Sequence, residues 1–327
     1  MIAISLFKKL HAEGFISDAS FEKVQAESAN RLLSVQWELK TILYLGVLLL
    51  SGGLGILVYK NIDTIGHQAI LAFIALVSAG CFYYCNKNKL PFGWGKIAAP
   101  NLLSDYLLLL GCLTFIGLIA YLQYQYNVFG NRYGLATFIP MVLLFFVAYY
   151  FDHLGILTMA ITSFAAWMGL AVTPLHLIQS NDFSDSRIIF TGMGIGLVLL
   201  IAAWATQRRK WKAHFEFTYS NFGTNVLYVS LLAAMFRFEE IGWLLWFVIF
   251  ALFAFYTYRK SIAERSFYFL LITSLYSYIA VSFVVVKILS FGGFETGFLY
   301  LGFSYFIASA IWLITFLIKT NKRFKTI

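Results

Sequence analysis

The sequence predicts an all-α, polytopic membrane protein with about ten transmembrane helices and a short cytosolic helical hairpin at its N-terminus. Of the 327 residues, 61% are hydrophobic and only 12% are charged, and the mean hydropathy is +0.78. A soluble domain is about half apolar and about a quarter charged. The composition therefore excludes a soluble globular enzyme, a disordered chain and a disulfide-stabilised secreted domain.

Residues 1–40 differ in composition from the rest and are expected to form the cytosolic hairpin. Gly14 suits a helix C-cap that needs positive φ, and Ser17 or Ser20 can cap the second helix. Forty residues cannot bury a core of their own. We therefore expect the hairpin to mediate homo-oligomerisation or to bind a protein partner, or alternatively to cap the membrane surface.

Ten apolar runs of a length that spans a bilayer follow the hairpin. Together they predict a transmembrane domain over residues 41–319, followed by a cytosolic basic tail at 320–327. The approximate limits are 41–59, 68–85, 102–124, 133–151, 154–176, 188–206, 219–236, 241–258, 267–286 and 297–318. Only Asp152 and His153 separate the fourth run from the fifth, which indicates either a tight hairpin or a break in one long helix.

The distribution of Lys and Arg predicts the orientation. If the N-terminus is cytoplasmic, the cytoplasmic segments hold 19 of these residues and the external loops hold 5. We therefore expect both termini on the cytoplasmic side of a multi-pass protein. No cleavable signal peptide precedes the first apolar run, so that run is expected to remain as a span.

The net charge of +9 fits cytoplasmic loops that face anionic lipid headgroups, so the bilayer is the expected partner and nucleic acid is not. Cys81, Cys85 and Cys112 lie inside apolar runs. Since no His or acidic residue accompanies them there, we interpret them as small buried side chains. No metal site and no cofactor are expected.

Three residues are candidates for a polar cavity within the membrane domain. Asp105 is the only acidic residue inside a span, where a charge is costly, although its place next to the predicted start of a helix also suits a structural role. Asn221 and Asn225 share one face of the seventh run with Thr218. That face could line a cavity, or it could hydrogen-bond a neighbouring helix.

Several residues are candidates for helix breaks: Gly52, Gly53, Gly55, Pro140, Gly192, Gly194 and Gly196. Glycine clusters at corresponding places in two inverted halves can mark the binding site of a transporter. The alternative is close helix packing, because the spacing of Ser51 and Gly55, and that of Gly192 and Gly196, is small-xxx-small.

The run from Leu10 to Ser17, followed by Leu32 and Leu33 and by a first span with Ser51–Gly52–Gly53–Leu54–Gly55, carries a resemblance. It resembles a family of bacterial predicted membrane proteins with an N-terminal domain of unknown function, number 2157. The resemblance covers the first 70 to 80 residues and the many-span plan. It implies a bacterial cytoplasmic (inner) membrane, and it implies no established activity.

Three functional classes remain open at this stage. The leading hypothesis is a non-enzymatic scaffold or partner-binding protein of the inner membrane. One alternative is a transporter of a small molecule or lipid, built from two inverted five-helix halves. The other is an enzyme that acts on a lipid-linked substrate, although the sequence offers no catalytic motif and we assign no catalytic residue.

Overall fold

The computed structural model describes residues 7, 10–18, 20–23, 36–60, 66–97, 101–172, 186–238, 242–291 and 296–326. The chain divides into two compact units, residues 1–61 and residues 62–327. Within the described ranges the secondary structure is helical, and no strand occurs. The prediction of an all-α fold is confirmed.

Ten long helices occupy the positions of the ten apolar runs. We number them α1 Gln36–Lys60, α2 His67–Lys87, α3 Leu102–Tyr126, α4 Tyr133–Phe151, α5 Leu154–Val172, α6 Ser186–Arg209, α7 Glu216–Arg237, α8 Gly242–Ala263, α9 Phe267–Phe291 and α10 Thr296–Thr326. Helix α10 continues almost to the end of the chain. The predicted basic tail therefore continues α10 as helix and is not a separate segment.

Among the described residues, eight of the ten helices are long and apolar enough to cross a membrane. The two others are α5, whose apolar segment Leu154–Gly169 is shorter, and α7. Helix α7 packs against α5, α6, α8 and α9, and more than half of its residues are buried. Because neighbouring helices cover much of its surface, α7 can carry the polar side chains that lower its hydropathy.

The N-terminal unit contains a clear helix stop and start. Gly14 has φ +76°, and the N–H groups of Gly14 and Phe15 donate to the carbonyls of His11 and Leu10. This pairing is a Schellman motif, so the prediction of a C-cap at Gly14 is confirmed. The Phe21 N–H donates to the Ser17 carbonyl, which begins the next helical turn.

The turn between α4 and α5 is a tight hairpin, so the alternative of one long broken helix is wrong. Asp152 has φ 60° and ends α4 in the left-handed conformation. The His153 N–H donates to the Ala148 carbonyl at 3.0 Å. Helices α4 and α5 then pack along each other, as two helices joined by so short a connection must.

The residues expected as helix breaks lie within continuous helices. Gly52, Gly53 and Gly55 are inside α1, Pro140 is inside α4, and Gly192, Gly194 and Gly196 are inside α6. In the structure α1, α4 and α6 are each continuous through these positions. In a bilayer the backbone must satisfy its hydrogen bonds within the segment, which keeps a glycine-containing helix intact.

Candidate functional site

The helix connections at one end of the larger unit converge on a buried charge cluster, which consists of Asp152, Lys212 and His214. Asp152 lies in the α4–α5 turn, and Lys212 and His214 lie between α6 and α7. The side chains of Asp152 and Lys212 are 1% and 0% exposed. These residues belong to turns that the orientation prediction places on the cytoplasmic side.

The Asp152 carboxylate is fully engaged. Its Oδ1 is 2.6 Å from His214 Nε2, and its Oδ2 is 3.4 Å from Lys212 Nζ. Oδ2 also accepts the Ile97 backbone N–H at 2.5 Å. A buried charge is tolerated only when it is paired and hydrogen-bonded, and this carboxylate meets both conditions.

Lys212 connects the cluster to the segment that precedes α3. Its backbone N–H donates to the Trp94 carbonyl at 2.9 Å, and its Nζ donates to the Gly95 carbonyl at 3.3 Å. The Trp94 and Trp211 rings stack with centroids 5.3 Å apart. The cluster thus joins three connections that are far apart in sequence.

Asp105 lies near this cluster through His153. Asn101 Oδ1 accepts the Ser104 N–H at 2.7 Å, which caps α3 and places Asp105 in its first turn. The Asp105 Oδ1 is 4.0 Å from His153 Nε2. That distance permits an electrostatic attraction but is too long for a direct hydrogen bond.

The buried His153 imidazole is held in one tautomer. Its Nδ1 accepts the Ile156 N–H at 3.2 Å, so the proton of the neutral ring is on Nε2. Burial lowers the pKa of His153 below its ordinary value, and the opposing attraction of Asp105 and Asp152 is weaker than the effect of burial. The neutral ring is therefore the folded-state form at neutral pH.

From this geometry we expect the free energy of unfolding to depend on pH. The unfolded chain binds a proton at His153 more readily than the folded chain, so the free energy of unfolding should fall as the pH drops below about 6.5. Unfolding by sodium dodecyl sulfate at pH 7.5 and at pH 5.5 measures the difference. His153→Asn retains an acceptor for Ile156 and should reduce this dependence. An unchanged dependence in that variant would contradict the role of His153.

Asn221 and Asn225 hydrogen-bond within α7 and to α9. Asn225 Nδ2 donates to Asn221 Oδ1 at 2.8 Å. The Tyr268 hydroxyl donates to Asn221 Oδ1 at 2.7 Å, and the Tyr276 hydroxyl donates to Asn225 Oδ1 at 3.1 Å. Asp105 thus lies near His153, whereas the two asparagines hydrogen-bond to each other and to α9.

A second polar feature lies deeper between α7, α8 and α9. The hydroxyls of Tyr228, Thr257 and Thr273 hydrogen-bond to one another, and the Tyr228 side chain is fully buried. Thr257 also lines a cavity of about 300 Å³ between α6, α7 and α8. Lys260 lies at this cavity and pairs with Glu216 at 3.2 Å.

Gly192 and Gly196 of α6 are sites of close helix contact. A Cβ on Gly196 would lie 2.9 Å from Leu227 Cβ and 3.0 Å from its backbone nitrogen, and one on Gly192 would lie 2.3 Å from Ser230 Oγ. A Cβ on Gly194 would meet nothing within 4 Å. Pro140 instead lines an opening of about 670 Å³ between α3, α4 and α5.

The sequence analysis did not identify Asp152, Lys212 and His214 as a site. One signal was available, because a two-residue connection between apolar runs is too short to expose both of its polar side chains. Lys212 resembled the other loop cations. An enzyme that acts on a lipid-linked substrate from the external side could draw on polar residues in the external connections, of which His67 contacts Tyr121 at 2.5 Å. His176, Asp182, Asp185, Glu239, Glu240 and Glu295 lie outside the described residues.

The helical architecture and its apolar, span-length helices define a polytopic helical membrane protein. Residues 8–157 match the model of a family described as predicted membrane protein (DUF2157). This match confirms the resemblance seen in the sequence, and it includes Asp105, Asp152 and His153 but not Lys212 or His214. Comparisons with curated proteins and with solved structures gave no match.

Proposed function

We propose that the chain is a non-enzymatic scaffold or partner-binding protein of the bacterial inner membrane, with both termini in the cytoplasm. The observation that carries the proposal is the close packing of α7 against α6 and its hydrogen bonding to α9. At Gly196 and Gly223, α6 and α7 approach so closely that a Cβ added to either glycine would lie 2.9 Å or 3.0 Å from an atom of the facing helix. Asn221 and Asn225 use their amides to bond α9. An interior packed in this way suits a rigid platform better than an alternating-access pathway.

Substituted cysteines test the packing around Asn225. The native Cys81, Cys85 and Cys112 are free and buried, so they should give little background labelling by a membrane-impermeant maleimide. We expect Asn225→Cys to remain unlabelled from either side, because the reagent needs an aqueous path. Labelling that approaches the level of an exposed control would contradict a packed interior.

The same reagent supplies the controls and tests the orientation. Glu264 and Val128 are exposed and lie at opposite ends of the helices. We expect Glu264→Cys to be labelled in inverted vesicles and Val128→Cys in intact spheroplasts. The reverse pattern would contradict the cytoplasmic termini that the cation distribution supports.

The N-terminal hairpin is the proposed contact for a second copy or for another protein. Residues 62–327 form a compact unit of their own, so deletion of residues 1–36 should leave a body that extracts as a folded particle. We expect self-association, measured by light scattering in detergent, to weaken. Gly14→Val should act similarly, because a β-branched residue is strained at φ +76°. Equal association of the deleted and full chains would contradict this contact.

A small-molecule or lipid transporter is the second candidate, and one observation favours it. The cavity between α6, α7 and α8 is bordered by Lys260, Glu264 and Ser220, and Thr257 joins it to the buried Tyr228 hydroxyl. Such a polar recess could admit a solute from one side. Labelling of Asn225→Cys from both sides would make this candidate the better one.

A further inference from the structure

A groove of about 710 Å³ lies between α8, α9 and α10. Its walls are mostly apolar and aromatic, and Phe255, Trp312 and Phe316 contribute to them. Half of the lining residues also carry a hydroxyl group, among them Tyr258, Tyr278 and Ser309. The volume is in the range of sites that hold a small organic ligand.

The groove extends along one face of α10. Tyr305, Ser309, Trp312 and Phe316 follow one another at helical spacing. The next residue on that face is Lys319, which is exposed and lies about 4.5 Å further along the axis by the helical rise. A cation therefore follows the apolar wall at the end that the orientation prediction places in the cytoplasm.

Helix α8 supplies a second cation at the same end. The Arg259 guanidinium lies 5.2 Å from the centroid of the Phe255 ring, which is part of the groove wall. The three helices that bound the groove contain no Asp or Glu within their ranges. The mouth of the groove is thus positive, since Glu264, which directly follows α8 at this end, pairs with Lys260 at 3.7 Å.

From this arrangement we infer that the groove between α8, α9 and α10 binds an anionic phospholipid of the cytoplasmic leaflet. One acyl chain lies against the apolar wall, and the phosphate meets Arg259 and Lys319. The complementarity is twofold, since an apolar chain matches the wall and a negative headgroup matches the mouth. A zwitterionic lipid with the same chains would make the same contact with the wall but a weaker one with the cations at the mouth.

Titration of the delipidated full chain in detergent with dioleoyl phosphatidylglycerol and with dioleoyl phosphatidylcholine tests this inference. Lipid binding is measured by native mass spectrometry. A basic residue at the membrane surface contributes about fivefold in affinity for an anionic lipid. With two cations at the mouth, we expect phosphatidylglycerol to bind about tenfold more tightly or better.

Two variants separate the wall from the mouth. Arg259→Gln combined with Lys319→Gln should bring the two lipids within about twofold of each other, while Ala308→Trp should fill the groove and weaken both. The matched control is Arg132→Gln with Lys287→Gln, which removes two cations at the opposite end of the helices and should leave the preference unchanged. Equal affinities of the parent for the two lipids, or full binding by Ala308→Trp, would overturn the inference.

Discussion

Asp152→Asn should lower the free energy of unfolding by about 3–5 kcal/mol, because it leaves the buried Lys212 ammonium without its carboxylate. Asn has nearly the shape of Asp and also tolerates the left-handed conformation, φ 60°, that residue 152 adopts. The substitution therefore tests charge more than geometry. Unfolding in mixed micelles with sodium dodecyl sulfate measures the loss.

The N-terminal hairpin offers a matched control for this prediction. Asp18 also pairs with a histidine, His11, at 2.7 Å, but the Asp18 side chain is 96% exposed. Exposed ion pairs contribute at most about 1 kcal/mol, so Asp18→Asn should have little effect. If the two substitutions cost the same, the buried charge cluster does not stabilise the junction of the three connections.

Gly196→Ala should destabilise the protein by about 1–3 kcal/mol, because the added methyl would overlap Leu227, including its backbone nitrogen at 3.0 Å. A side chain could rotate away, but the backbone of α7 cannot move without separating the two helices. The same unfolding assay measures this loss.

Two neighbouring glycines are the controls for Gly196. Gly194→Ala meets nothing within 4 Å, so it should be neutral or add up to about 1 kcal/mol through helix propensity. Gly192→Ala meets chiefly the Ser230 hydroxyl, which can rotate, so an intermediate effect is expected. An equal effect at all three positions would show that contact with α7 does not decide the outcome.

The helices were predictable because each one carries its own signal. An apolar run of span length identifies a membrane helix without knowledge of its neighbours, and the cap residues Gly14 and Asn101 indicate where helices end and begin. Signals of this kind depend only on residues that are consecutive in the sequence. The positions of the ten helices follow from them, although α5 and α7 do not reach the length and hydropathy of a spanning helix within the described residues.

The charge cluster was not predictable for the converse reason. The contact between Asp152 and Lys212 joins residues 60 positions apart, and neither local sequence indicates the other residue as its partner. The same holds for Asn225 and Tyr276, where the sequence indicated a polar face but not what it would meet. Glycine spacing left both packing and helix breaks open, because both uses need a small side chain.

The polarity of α7 also bears on how the chain enters the bilayer. A segment with Thr218, Ser220, Asn221 and Asn225 partitions poorly into lipid when it is alone. Helix α6 is strongly apolar, precedes α7 directly and fits it through Gly196. The two are therefore suited to leave the translocon together as a helical pair, with α8 and α9 closing over α7 as they are synthesised.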